Sequence, residues 1–171
     1  MLYKINIKKL QLLVYYAIMT HISGIREIVM RIKNEIEYVM RILLYLTKYG
    51  ENRIVPSNEI SEAEDIPHLF SLRILKKLEK AGLVKIFKGA KGGYQLTKPS
   101  EEITLRDAVE TIEPIICIKD CVNDPGSCNL RRGNCALHRA FGDIQREFIK
   151  KLESRNFKEL AEETYSEGTC R

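Results

Sequence analysis

The sequence predicts a mainly α-helical protein that carries one small β-hairpin. Two observations support this fold class. In several segments the apolar residues recur at steps of three and four, which is the spacing of helices with one buried face. Strand-like alternation is confined to two short runs on either side of the glycine-rich sequence KGAKGG, residues 88–93.

The first two predicted helices cover residues 34–49 and 56 to about 63. The first has apolar residues at helical spacing and is followed by Gly50, a typical stop signal. The second follows a proline, and Ser57 is its expected N-cap because a serine hydroxyl can accept a hydrogen bond from an unpaired backbone N–H.

A third helix and the hairpin follow. Pro67 suits a first helical turn, where its missing N–H is not needed, and Gly82 ends the helix. The outer face of this helix is basic, and the residues expected to point inward are Phe70, Ile74, Leu75 and Leu78. The sequences LVKIF and YQLT, residues 83–87 and 94–97, are predicted to pair as an antiparallel hairpin.

Three further helices are predicted towards the C-terminus. Residues 104–107 read as a capping box that opens a helix to about Ile112, and Pro114 stops it. A short final helix is expected over residues 157–162. Before it lies a long amphipathic helix, whose apolar residues are Phe141, Ile144, Phe148, Ile149 and Leu152.

Positive charge is concentrated between residues 66 and 98. This segment has eight basic residues against the single acid Glu79, a balance of +7, whereas the whole chain is only +5 and the remainder is therefore −2. A concentrated basic region on a neutral or acidic body favours a polyanionic partner, most often a nucleic acid. A solvated basic helix face is the alternative interpretation.

The order helix, short helix, basic helix and hairpin is typical of a winged helix-turn-helix. In this arrangement the third helix can enter the major groove and the lysines at the hairpin tip can reach phosphates. A hairpin that only covers the core remains an alternative. The residues expected to contact DNA are His68, Ser71, Arg73 and Lys76 on the helix and Lys88, Lys91 and Tyr94 on the hairpin. No paired nucleophile and base and no phosphate-binding glycine loop is present, so we do not expect an enzyme.

The sequence CVNDPGSCNLRRGNCALH carries three evenly spaced cysteines and a histidine, at Cys121, Cys128, Cys135 and His138. The chain has five cysteines, an odd number, and no evident export signal, which favours a reducing, cytoplasmic compartment and thiols that act as ligands. Three thiolates and an imidazole suit an iron-sulfur cluster and also tetrahedral zinc. The apolar run at residues 10–19 is too short to cross a bilayer, so we do not expect a membrane protein.

Two stretches carry a family resemblance: MRIKNEIEYVMRILLYL, residues 30–46, and the region from IPHLF to VETIE, residues 66–113. They resemble the Rrf-two family of bacterial winged-helix transcription regulators, and within it the iron-sulfur group that contains IscR and NsrR. The resemblance covers about residues 30–163. It implies a cytoplasmic homodimer that binds double-stranded operator DNA, as repressors do, with the long helix crossing that of its partner.

The resemblance also implies the ligands of a 2Fe-2S or 4Fe-4S cluster. The three cysteines match the family's ligand trio, and the fourth ligand is either His138 or Glu37 of the other subunit. Cys117 could substitute, although we expect it to be a small buried residue. One departure is Leu72, which stands where IscR-like members have a glutamate, so the operator sequence cannot be carried over.

Three classes of function therefore stay open: a regulator controlled by a cluster, a regulator with structural zinc or direct thiol sensing, and an iron-sulfur electron carrier. The expected organisation is an N-terminal extension at residues 1–29, a winged-helix domain at 30–101, a linking helix at 102–116, a cluster-binding loop at 117–138, a dimerisation region at 139–165 and a tail at 166–171.

Overall fold

The structure is a computed structural model, and it describes residues 34–89, 91–114, 116–128 and 135–166. All of them belong to the unit Ile32–Arg171. The predicted N-terminal extension, the tail beyond residue 166 and part of the cysteine segment lie outside the described residues. None of the helices in the described ranges has both the length and the apolar character needed to span a bilayer.

The first three helices agree with the predicted order. Helix α1 spans Asn34–Tyr49, α2 spans Ser57–Ala63 and α3 spans His68–Lys80. The turn between α2 and α3 contains Asp65, a non-glycine residue with a positive φ of 48°. Helices α2 and α3 contact each other, and α3 also contacts α1, which gives a helix-turn-helix.

The hairpin consists of β1, Val84–Phe87, and β2, Gly93–Leu96, in antiparallel register. It is joined to the helices through Val55, whose N–H donates to the Tyr94 carbonyl at 2.9 Å and whose carbonyl accepts from the Tyr94 N–H at 2.8 Å. A side chain at Gly93 would place its Cβ 2.4 Å from the Val55 carbonyl oxygen, so this close pairing requires glycine.

A short helix, α4 (Leu105–Glu110), follows the hairpin and a 3-10 turn at Ser100–Glu102. The predicted capping box is confirmed, because the Thr104 side chain accepts from the Asp107 N–H while the Asp107 carboxylate accepts from the Thr104 N–H at 2.8 Å. The helix ends at Glu110, slightly before the predicted position.

The remaining elements are α5 (Asp120–Asn123), a 3-10 turn (Pro125–Ser127), α6 (Ala136–Glu153) and α7 (Phe157–Ser166). Helix α6 is the predicted long helix, and it begins within the segment that the sequence suggested was a loop. The final helix is longer than expected.

Two apolar clusters hold these elements together. The larger lies between α1, α3 and the base of the hairpin, and Phe157 from the start of α7 is fully buried in it. The smaller joins Ile36 of α1, Val109 of α4 and Leu152 of α6. The long helix therefore packs against the winged-helix region through its C-terminal end.

Three local expectations are wrong. Ser57 is the first helical residue of α2 and not its N-cap, which is Pro56. On α3 the inward positions are Ser71, Ile74, Leu75 and Leu78, whereas Phe70 is 43% exposed. Cys117, expected to be buried, is exposed.

Candidate nucleic-acid interface and cysteine segment

Helix α3 presents a basic outer face. Its residues Arg73, Lys76 and Lys80 are exposed and follow one another at steps of three and four. The Arg73 guanidinium lies over the Phe70 ring, 5.1 Å from its centroid, which restrains the arginine on the outer side of the helix. Lys77 points the other way and pairs with Glu35 of α1 at 3.0 Å, so it stabilises the packing of the two helices.

The exposed His68 begins α3. Its Nε2 lies 3.1 Å from the Ser57 hydroxyl at the start of α2, a hydrogen-bonding distance. This contact joins the first turns of the two helices of the helix-turn-helix and so fixes where α3 starts relative to α2.

Ser71 does not belong to the outer face. Its side chain is 0% exposed, and its hydroxyl has no hydrogen-bond partner among the residues that the structure describes. It lies three and four residues before the fully buried Ile74 and Leu75, on the same side of the helix. The expectation that Ser71 contacts DNA is therefore wrong.

The wing tip carries Lys88 and Lys91, both exposed. Gly89 between them has a φ of +114°, a conformation that side chains rarely adopt, so the tip turns tightly there. Tyr94 lies one pair back from the tip, opposite Ile86, and is partly buried against the larger cluster. Burial, and secondarily the nearby Glu79, raises the pKa of the Tyr94 hydroxyl.

The described cysteines belong to the segment that precedes α6 in the chain. Cys121 is on α5, Cys128 follows the 3-10 turn, and Cys135 directly precedes the first residue of α6, with all three partly exposed. His138 is on the first turn of α6 and also partly exposed. Within the described ranges, no three Cys, His, Asp or Glu side chains are close enough together to hold a metal ion.

The donor set nevertheless fits an iron-sulfur group in its chemistry. Three sulfur donors and one imidazole are the ligand types that such clusters use. All four donors are partly exposed, and Cys128 and Cys135 directly flank residues 129–134 in the chain, so that no apolar core has to be opened for them to bind.

Gln145 is a contact residue that the sequence did not reveal. Its side chain is only 8% exposed; its Oε1 accepts from the Ile118 N–H at 2.9 Å and its Nε2 donates to the Asn123 Oδ1 at 2.8 Å. These two bonds bracket Cys121 in the sequence and tie its helix to α6. Gln145 stands four and seven residues before Ile149 and Leu152, on the side of the helix that the structure turns inward, but this side could not be told from the opposite apolar face by hydropathy.

Glu37 is on the first turn of α1, and its side chain is 60% exposed. Its carboxylate lies 3.6 Å from Arg41, which also contacts Glu64 at 3.3 Å. The structure does not group Glu37 with the described cysteines of its own chain.

One exposed face of α6 is apolar. Gly142, Gln145 and Leu152 face inward, while the large apolar residues exposed on this helix are Leu137, Phe141, Ile144 and Phe148. Their spacing of four, three and four residues is that of a helix face that packs against another helix.

Together, a helix-turn-helix, a basic third helix and a basic hairpin wing define the winged-helix class of DNA-binding proteins. The chain belongs to the Rrf2 family, described as iron-dependent transcriptional regulators, whose model matches residues 32–163. The family confirms the resemblance found in the sequence. Its members are regulators that bind DNA, in agreement with the expectation that the chain is not an enzyme.

Individual relatives fit this assignment. Protein aau3 of Rhizobium meliloti (strain 1021) is 35% identical over 118 residues, which covers 65% of this chain and 74% of aau3. The IscR structure from T. potens superposes with a TM-score of 0.66 at 18% identity, covering 83% of this chain and 93% of IscR. The structure of CymR, the global cysteine regulator of B. subtilis, superposes with a TM-score of 0.62 at 22% identity, covering 80% of this chain and 99% of CymR. At these identities the two structures establish the fold alone.

Proposed function

We propose that this chain is a homodimeric transcription regulator whose binding to operator DNA is modulated by an iron-sulfur cluster. The observation that carries the proposal is that Cys135 directly precedes the first residue of α6, while the other end of the same helix packs on the winged-helix region. A change at the ligands can therefore act on the DNA-binding elements through one rigid element.

The exposed apolar face of α6 supports the homodimer. Four large apolar side chains on one helix face are costly to leave in water, and a second copy of the same helix would cover them. A twofold pair of winged helices would then contact two half-sites about one helical turn, roughly 34 Å, apart.

The cluster would be held by Cys121, Cys128 and Cys135, with His138 or Glu37 of the other subunit as the fourth ligand. A bound cluster supplies a centre that can change its redox state or be lost, and a histidine ligand raises its potential relative to thiolate. Residues 117–138 would adopt one arrangement around it and another without it. Because Glu37 is exposed on α1, its participation would tie this segment to the DNA-binding half of the partner.

The connection to DNA binding would run through packed contacts. Gln145 joins the Cys121 helix to α6, and Leu152 of α6 packs with Val109 and Ile36. Arg106 of α4 adds ion pairs with Glu110, at 2.7 Å, and with Glu153 of α6. A coupling of about 3 kcal/mol along these contacts would change operator affinity by more than a hundredfold.

The test begins with the full chain purified without oxygen. Bound iron and sulfide with visible absorption are expected, and a C121S/C128S/C135S variant should lose them. Duplex binding by the two proteins should differ by at least tenfold. The proposal would be contradicted if the purified protein contained no iron, or if its affinity for the duplex did not change when the cluster was removed.

The fourth ligand is tested by single substitutions. His138→Ala and Glu37→Ala should each leave the fold intact, and only the variant that removes a ligand should shift the absorption spectrum. Glu62→Ala, an exposed acid on the short helix α2, is the matched control. Unchanged spectra in both variants would mean that neither residue is a ligand.

Direct thiol sensing is the second candidate, favoured by the exposed side chain of Cys117 four residues from Cys121. A peroxide-treated, metal-free chain would then change its DNA affinity reversibly with a thiol reductant, and Cys117→Ser would abolish the response. Zinc in the purified protein, without colour, would favour a structural metal instead.

A further inference from the structure

We propose that Leu69 reads thymine methyl groups in the major groove and so contributes sequence specificity to DNA binding. The inference rests on the proposed function and extends it, because the expected DNA contacts were all polar or charged except for the ring of Tyr94. Leu69 is on the first turn of α3, and its side chain is 79% exposed, the highest value among the large apolar residues that the structure describes.

The position of Leu69 places it in the groove-facing set. Arg73, Lys76 and Lys80 follow it at steps of four, three and four residues, so all four lie on one face of the helix. The leucine occupies the N-terminal end of this face. In helix-turn-helix proteins, the N-terminal residues of the recognition helix contact base edges.

Its chemistry identifies the feature that it would contact. Among the base edges in the major groove, only thymine presents a methyl group, and apolar side chains recognise that group. Phe70 next to it is 43% exposed, and Arg73 is restrained over its ring. The first turn of α3 therefore offers an apolar surface beside a guanidinium that can contact guanine.

Charge complementarity selects DNA as the partner that covers this surface. The segment from residue 66 to residue 98 has a balance of +7, and the lysines Lys76 and Lys80 continue the face that Leu69 begins. A purely apolar protein partner would have to bury these charges unpaired, whereas a phosphate backbone neutralises them.

The experiment uses a duplex that the full chain selects from a random-sequence pool. Each thymine is replaced in turn by deoxyuracil, which removes only the methyl group, and affinities of the wild type, Leu69→Ala and Lys76→Ala are compared. The wild type should lose affinity roughly fourfold at one thymine in each half-site, the effect of one buried methyl or methylene group.

The affinity of Leu69→Ala should not change when that particular thymine is replaced, but should still change at any other thymine that affects the wild type. Lys76→Ala should bind every duplex more weakly, with the same ratio of thymine to deoxyuracil affinity as the wild type. If the ratio of thymine to deoxyuracil affinity is the same for the wild type and Leu69→Ala at every position, the inference is overturned. So would a change of oligomeric state in Leu69→Ala, which would assign the leucine to a contact between copies. If the wild type selects no duplex, the proposed function itself fails.

Discussion

The winged-helix region, within residues 30–101, and the cysteine segment, within residues 117–138, differ in the interactions that stabilise them. In the former, side chains such as Ile42, Leu46 and Ile74 are fully buried in one apolar cluster. In the latter, helix α5 contains no buried residue, and Gln145 of the long helix holds it through a hydrogen bond to Asn123 and a second one to Ile118, just before the helix.

This difference separates a part held by buried apolar contacts from a part that we expect to respond to what binds it. Elements with little buried apolar surface open at low free energy, and regulated segments are drawn from such elements. The DNA-binding surface is therefore expected to keep its geometry whether or not a ligand is present, while the cysteine segment is expected to change.

The largest expected effect comes from the apolar cluster. Leu75→Ala should lower the free energy of unfolding by about 2–5 kcal/mol, because the fully buried side chain would leave a cavity. Val122→Ala on α5 is the corresponding change in the cysteine segment, and it should lower the free energy of unfolding by less than about 1 kcal/mol. Urea denaturation measures both, and equal losses would remove the contrast between the regions.

Gln145→Met tests what holds the cysteine segment. Two hydrogen bonds are lost, so the segment that contains α5 should open more readily by about 1–2 kcal/mol, with about five- to thirtyfold faster hydrogen exchange of the Ile118 amide. Glu147→Gln, an exposed neighbour on the same helix, is the control. Unchanged exchange in Gln145→Met would show that other contacts fix the segment.

Ser71→Ala should stabilise the winged-helix region by about 1 kcal/mol, since it removes a buried hydroxyl without a partner in the described part of the chain. Thermal unfolding of the full chain provides the measurement. A destabilised variant would mean that the hydroxyl makes a bond outside the described residues.

The smallest effect concerns Glu59 at the surface of the helix-turn-helix. A hydrogen bond from Arg53, at 2.9 Å, lowers the pKa of this carboxyl below its ordinary value of 4.5. The pair therefore stabilises the fold above about pH 4.5 and is lost as the pH falls through the lowered pKa. Water screens the half-exposed arginine, so the contribution of this pair should be small. Glu59→Gln should lose less stability than the wild type between pH 5 and pH 3.

Local rules predicted the winged-helix region closely. Helix α1 has the predicted bounds, and the capping box at Thr104 and Asp107 forms as expected. The errors arise where tertiary packing decides between neighbouring positions. Hydropathy favoured Phe70 as an inward residue, but Ile74, Leu75 and Leu78 fix the rotation of α3 and bring Ser71 inward.

The candidate site was predictable only in part. Basic residues on α3 and the wing follow from charge and helical spacing, whereas the role of Gln145 depends on which face of α6 turns inward. The apolar residues of that helix occupy both faces, so hydropathy alone could not separate Leu152 inside from Phe148 outside. The cluster ligands and the homodimer remain predictions.

The two ends of α6 are anchored differently, and this has a geometric consequence. The helix has 18 residues and is fixed at Leu152, and the chain after it leads to the buried Phe157 of α7, while its first turn follows Cys135. Leu152 can thus act as a pivot, and a tilt of about 10° there displaces the opposite terminus by roughly 4 Å. In the proposed homodimer, such a small change of angle would be enough to alter the distance between the two α3 helices.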